Sequence, residues 1–177
     1  MYSVARLVEA QEVSVQLRSV GHGKGTGGFM ERKIIKAIDW DEVKEYIRNT
    51  PATSSIYVGV DSQNHRGQTD FGLAIVVHIE SSKGGHMFVE TSKMKRIKSM
   101  RERLMKEVEI VVDASMKLLD LVGTHGFAVH LDLNPDPRHK SNSIIKEAIG
   151  YVTGQGFECA VKPESWVATH VADSLVQ

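Results

Sequence analysis

Between Ile56 and Glu90 three apolar, strand-like runs follow one another, and no helical stripe begins until Leu104. The runs are Ile56–Val60, Phe71–Ile79 and His86–Glu90, separated by turn chemistry around Gly67 and in "SSKGG" (81–85). Strands parted by such short turns read as an antiparallel meander. Leu104, Val108, Val111, Val112, Ser115, Leu118, Leu119 and Val122 then recur at helical spacing until Gly123 and Gly126 stop the pattern. A strand over Phe127–Leu133 closes on "NPDP", and a helix from about Ser143 to Val152 follows. "FECAVK" (157–162) reads as a fifth strand, Pro163 as a break, and "ESWVATHVADSLV" as a last helix. A short helix, "DWDEVKEYIRN", precedes the meander, capped by Asp39 and stopped before Pro51. The order β-β-β-α-β-α-β-α predicts an α/β domain: a mixed five-stranded sheet with helices on both faces.

That domain is expected over residues 39–177, with 1–38 as an N-terminal extension. Within the extension "GHGKGTGGF" (21–29) is glycine-rich, but Lys24 is followed by Gly25 where a phosphate-binding loop needs Ser or Thr. It reads as a Gly-rich linker. At 177 residues, 41% hydrophobic and 25% charged, the chain has the composition of one globular domain with a proper core. No apolar run reaches bilayer length, and the first residues lack the basic-then-apolar layout of a secretory signal. A lone cysteine, Cys159, fits a reducing compartment, so a cytoplasmic location is the expectation. Lys+Arg and Asp+Glu balance at 22 each, which argues against a protein that coats nucleic acid by bulk charge. Charge is nevertheless concentrated in "KMKRIKSMRERLMK" (93–106) and in "PRHK" (137–140). The eight histidines show no zinc spacing, and His130 reads as a packed, hydrogen-bonded histidine.

The acids are more informative. Strand residues alternate in direction, so Asp61 shares a face with Gly59, and Asp132 shares one with His130 and Asn134. If the first and fourth strands are neighbours, Asp61 and Asp132 stand side by side. Two carboxylates that close repel, and one is forced neutral unless a cation lies between them. Hard divalent ions are what such oxygen donors bind. On the long helix Glu107 flanks the apolar stripe, while Glu102 and Glu109 point further toward solvent. On the last helix Trp166, His170 and Asp173 share a face, making Asp173 a fourth candidate ligand and His170 a candidate for proton transfer or phosphate contact. Each acid alone has a plainer reading: turn capping for Asp61 and Asp132, a solvated helix face for Asp173.

The element order, with Asp61 in "YVGVDSQ", Asp132 in "VHLDLNP", Asp173 in "THVADSLV" and Glu107 in "RLMKEV", resembles the ribonuclease H-like fold. More narrowly, "VGVDSQ", "RLMKE", "HLDLNP…KSN" and "KPESW…HVAD" resemble the YkuK-type family of predicted ribonuclease H-like nucleases, over roughly residues 54–176. The resemblance implies two-metal phosphodiester hydrolysis, with Mg²⁺ or Mn²⁺ held by Asp61, Glu107, Asp132 and Asp173 and with nucleic acid as the partner. His170 would then assist proton transfer, Ser62, Gln63 and Asn134 would position phosphate, and Lys140, Lys162 and the 93–106 run would hold the backbone. The competing reading is a non-catalytic nucleic-acid-binding or assembly module on the same fold. An actin-like phosphotransferase is disfavoured, because "DSQNHRG" lacks a tight phosphate-binding glycine turn.

Overall fold

The computed structural model describes residues 37–79, 84–136, 138 and 142–176. The glycine-rich stretch and the rest of the extension up to residue 36 lie outside the described residues, as does Lys140.

Five strands form one sheet in the order β3-β2-β1-β4-β5. These are β1 (Ser55–Asn64), β2 (Gln68–His78), β3 (Gly85–Lys95), β4 (Gly126–Leu131) and β5 (Glu158–Ala160). β1, β2 and β3 pair antiparallel, while β1–β4 and β4–β5 are parallel. Parallel pairs require crossover connections, and the helices α2 (Met100–Lys117) and α3 (Asn142–Gly154) lie in the segments leading into β4 and β5. α1 (Trp40–Arg48) precedes the sheet, and its N-cap Asp39 accepts from the backbone N–H groups of Asp41 and Glu42. The chain closes with a π-helical turn, Val167–Ala172, that continues as α4 (Asp173–Val176). Among the described residues no helix is long and apolar enough to cross a membrane.

The sheet is covered on both faces. On one, Val43 and Ile47 of α1, the α2 stripe and α3 pack onto Ile56, Val58, Val60, Phe71, Leu73, Ile75, Phe127 and Val129. On the other, Ala74 and Val76 meet Val167 and Ala172 of the terminal helix. Double coverage is why Phe71–Val77 is buried residue after residue instead of alternately.

Several boundaries differ from the sequence reading: β4 stops at Leu131 rather than Leu133, and β5 covers only Glu158–Ala160. β1 continues through Asn64, because residues 62–64 pair with β2 whatever their polarity, so Asp61 lies inside the strand, opposite Gly72. β3 runs to Lys95, which places the first part of the basic run on a strand, residues 96–99 in the approach to α2, and the rest within α2. α2 ends at Lys117 and a 3₁₀ turn (Leu119–Leu121) follows, leaving Leu119 exposed rather than on the core stripe.

Candidate active site

The parallel pairing of β1 with β4 ends at Val60 and Leu131. The next residue in each segment is an aspartate, Asp61 still within β1 and Asp132 just past the end of β4, so the two stand side by side at the mouth of the pair. Neighbouring strands lie about 4.8 Å apart, and Asp61 lies within the field of Asp132. Burial first, then the charges of Asp132 and Asp173, push the Asp61 carboxyl up to about 7, against a backbone hydrogen bond at Ser62 that lowers it. Asp61 also shares a side-chain hydrogen bond with Asp173. A carboxyl–carboxyl hydrogen bond needs one proton, which is how the pair tolerates its proximity.

The terminal helix delivers Asp173 because it can approach the sheet very closely. A Cβ on Gly59 would lie 2.7 Å from the Ala168 nitrogen, and one on Gly72 would lie 2.7 Å from the Ala172 oxygen. Glycine at these two strand positions is therefore a packing requirement. The π-helical turn then decides which side chains face the sheet. Asp173 N–H caps back to the Ala168 carbonyl, five residues earlier. The wider turn brings Thr169 inward, where its hydroxyl donates to Asp132 Oδ1 at 2.8 Å. His170 faces outward and is exposed. Thr169 is a site residue that the sequence reading missed; its signal was the i, i+4 spacing to Asp173.

Asp132 Oδ1 accepts a second charge-assisted contact, from Lys162 Nζ at 2.8 Å. Beneath it His130, 3% exposed, accepts from the Val167 backbone N–H at 3.3 Å through Nδ1. His130 also packs against Tyr57 and Trp166, with ring centroids 4.9 and 5.9 Å away. Burial lowers His130 to about 4, so it is a neutral acceptor at the start of the terminal helix. The expectation of a packed histidine holds.

Glu107 reaches the cluster from the α2 side and is 4% exposed. Its Oε1 accepts from the Ser62 hydroxyl, which alternation turns to the face opposite Asp61. Arg103, one helical turn before, donates to the Ser62 carbonyl and hydroxyl and lies 4.0 Å from Glu107 Oε1. Burial, then the Asp61 charge, hold Glu107 well above the ordinary glutamate range, offset in part by Ser62 and Arg103. Arg103 was visible in the sequence only as one member of the basic run.

Of the predicted site residues, Asp61, Glu107, Asp132 and Asp173 are linked by hydrogen bonding or mutual repulsion at one end of the sheet. Ser62 and Lys162 touch members of that group. Gln63 is exposed two residues beyond Asp61. Asn134 Oδ1 accepts from the Asp136 N–H at 3.0 Å, holding the turn after β4. A groove of about 640 Å³, lined by Met94, Ile97, Met105 and Tyr151 among others, contains none of the four acids.

The donor set is all carboxylate oxygen, which suits a hard divalent ion, and Asp61 and Glu107 are raised by burial first and then by neighbouring negative charge, which such an ion would offset. As placed, however, the carboxylates engage protein partners, and among the described residues no three His, Cys, Asp or Glu side chains form a ready metal-holding group. The residues fit the ion in chemistry, with side-chain rearrangement needed to receive it.

A mixed sheet of this order with acids at the β1–β4 mouth defines a class, and sequence comparison agrees. The chain belongs to the ribonuclease H-like family, which matches residues 40–177. It is similar to "Uncharacterized protein YkuK" of Bacillus subtilis (strain 168), with 27% identity, covering 77% of this chain and 88% of that protein. No solved structure matches. Membership of this family points to a nuclease or nucleic-acid-related function.

Proposed function

We propose that residues 39–177 form a nuclease domain, with 1–38 as an appended extension, that hydrolyses phosphodiester bonds of nucleic acid with Mg²⁺ or Mn²⁺. The observation that carries this reading is the convergence of Asp61, Asp132, Asp173 and Glu107 from two strands' ends and two helices, with Asp61 raised to about 7. The four would hold two ions, which supply a polarised phosphoryl oxygen and an acidified water. Thr169 orients Asp132, and Ser62 with Arg103 orients Glu107. His170, exposed three residues before Asp173, is the proposed proton-transfer group. Gln63 and Asn134 are the proposed phosphate-positioning groups, and Lys140 is a proposed contact to the nucleic-acid backbone.

The backbone track lies at the β1–β2 turn. Arg96 N–H donates to the Gly67 carbonyl at 3.1 Å, and Lys95 pairs with Gln68, which gathers Arg66, Lys95, Arg96 and Lys98 around one corner. All four are exposed, and among the described residues none has an ion-pair partner. Lys93, Arg101 and Lys106 do, with Asp70, Glu147 and Glu109. The unneutralised cations suit phosphate contact.

The test is a panel of labelled DNA, RNA and hybrid substrates with Mg²⁺ or Mn²⁺. Cleavage is expected from the wild type and its loss, by more than about a hundredfold, from Asp61→Asn and Asp132→Asn, since even outer groups of metal sites cost 10–100-fold. Activity equal in all three proteins would sink the proposal. The partners already engaged by Asp132 and Glu107 favour a second reading, a non-catalytic nucleic-acid-binding module. Such a module binds nucleic acid equally well in chelator and is insensitive to Asp61→Asn.

A further inference from the structure

The two ends of the acidic cluster solve the same electrostatic problem differently. Asp61 and Asp173 meet carboxyl to carboxyl. Asp132 faces an ammonium group: its Oδ1 accepts from Lys162 Nζ at 2.8 Å and from Thr169 Oγ1 at 2.8 Å. Both acceptor directions of that oxygen are thus taken.

Lys162 is not a long side chain that happens to swing past. Its backbone N–H donates to the Leu133 carbonyl at 3.1 Å, one residue beyond Asp132, continuing the β4–β5 association past the last paired residues. The lysine is therefore anchored beside its partner, and Pro163 restricts the backbone that follows. The side chain is 35% exposed and Asp132 23%, so the contact lies at the rim of the site, where an entering ion meets it.

We propose that Lys162 is a tethered cation occupying one of the site's two cation positions, so that a divalent ion enters at Asp132 only by displacing it. This rests on the metal-dependent reading above and assigns Lys162 to control of ion loading instead of to backbone contact. The first ion binds on the Asp61–Asp173 side, away from Lys162; the second binds in competition with Lys162. Loading of the second position is then the step at which a substrate phosphate acts, by attracting the ammonium group away from Asp132. The lysine's charge, more than the occupied oxygen, sets the competition, because Thr169 shares that oxygen without repelling a metal ion.

The experiment is Mn²⁺ titration of the full chain without nucleic acid, with free Mn²⁺ read by electron paramagnetic resonance. Wild type is expected to hold one ion tightly and a second at least about tenfold more weakly, a difference of about 1.4 kcal/mol. Lys162→Met should tighten the second ion by about tenfold, Lys162→Gln should do the same if the methionine variant folds poorly, and Lys162→Arg should resemble wild type. Superimposable isotherms for wild type and both neutral Lys162 variants, with Mn²⁺ bound in each, overturn the role of Lys162 and leave the metal site standing. Absence of Mn²⁺ binding in every protein overturns the metal reading and this inference together.

Discussion

Gly59 of β1 lies directly under Ala168 of the terminal helix, so close that a Cβ would stand 2.7 Å from the Ala168 nitrogen and 2.9 Å from Val167 Cγ1. Backbone cannot yield as a flexible side chain does. Gly59→Ala should therefore lift the helix that carries Thr169 and Asp173, at a cost of about 1–3 kcal/mol. At this chain length that is a melting temperature lower by roughly 2–4 °C per kcal/mol. The same variant should lose most of its stabilisation by Mn²⁺, because Asp173 and Thr169 retreat from Asp61 and Asp132. An unchanged melting temperature, with and without Mn²⁺, would contradict this account of the helix seating.

Asp61 makes the metal-free protein sensitive to pH in a defined direction. Its carboxyl rises from 3.8 to about 7, burial being the first cause and the neighbouring acids adding to it. Between those values the folded state binds more protons than the unfolded state, so stability falls as pH rises. The contribution is fully present below about pH 4 and lost as pH climbs to and through about 7. Thermal melts in EDTA should show the melting temperature declining from pH 5 to pH 8, and Asp61→Asn should flatten part of that decline. A steeper decline in the variant would show that Asp61 is not the group responsible.

The order of strands and helices was legible in the sequence because apolar periodicity reports it directly, and so was the shared face of Asp61 and Asp132. That parity follows from the two-residue repeat of a strand and survives errors in where the strand ends. The extension of β1 through Asn64 was not legible, since pairing with β2 satisfies the backbone of Ser62, Gln63 and Asn64 whatever their side chains. Nor was the inward turn of Thr169: a 100° helical wheel assigns His170 to the site face, and only the π-helical turn rotates it outward. Lys162 illustrates a third limit. Its contact with Asp132 depends on how β5 lies along β4, a relation between segments about thirty residues apart that no local pattern encodes.

The basic corner predicts a salt dependence. Each phosphate contact on a single strand contributes a slope of about 0.7 in log affinity against log salt, and about 0.9 on duplex DNA. Lys95→Glu combined with Arg96→Glu should weaken binding of a labelled oligonucleotide in EDTA and flatten that slope by about one to two. Anisotropy titrations at several salt concentrations would measure it. Loss of affinity without a change in slope would point to a fold defect rather than lost phosphate contacts, as would a lowered melting temperature.

Glu107 separates function from stability most cleanly. It is 4% exposed, its field neighbours are Asp61 and Asp132, and burial holds it well above the ordinary glutamate range. A buried carboxylate is costly to ionise, so once ionised Glu107 opposes the fold even with Arg103 4.0 Å away. Glutamine has the same shape, keeps an oxygen for the Ser62 hydroxyl, and carries no charge. Glu107→Gln should therefore raise the metal-free melting temperature at pH 8 by a few degrees, with a smaller gain at pH 5, where the wild-type carboxyl is already protonated. The same substitution should reduce divalent-ion-dependent cleavage by more than about a hundredfold, since it removes a proposed metal ligand. A residue kept only for packing would show neither the pH-dependent gain nor the loss of cleavage. If Glu107→Gln destabilises the metal-free protein at pH 8, the Arg103–Glu107–Ser62 contacts outweigh the burial penalty, and Glu107 is a structural member of α2 rather than part of the acidic site.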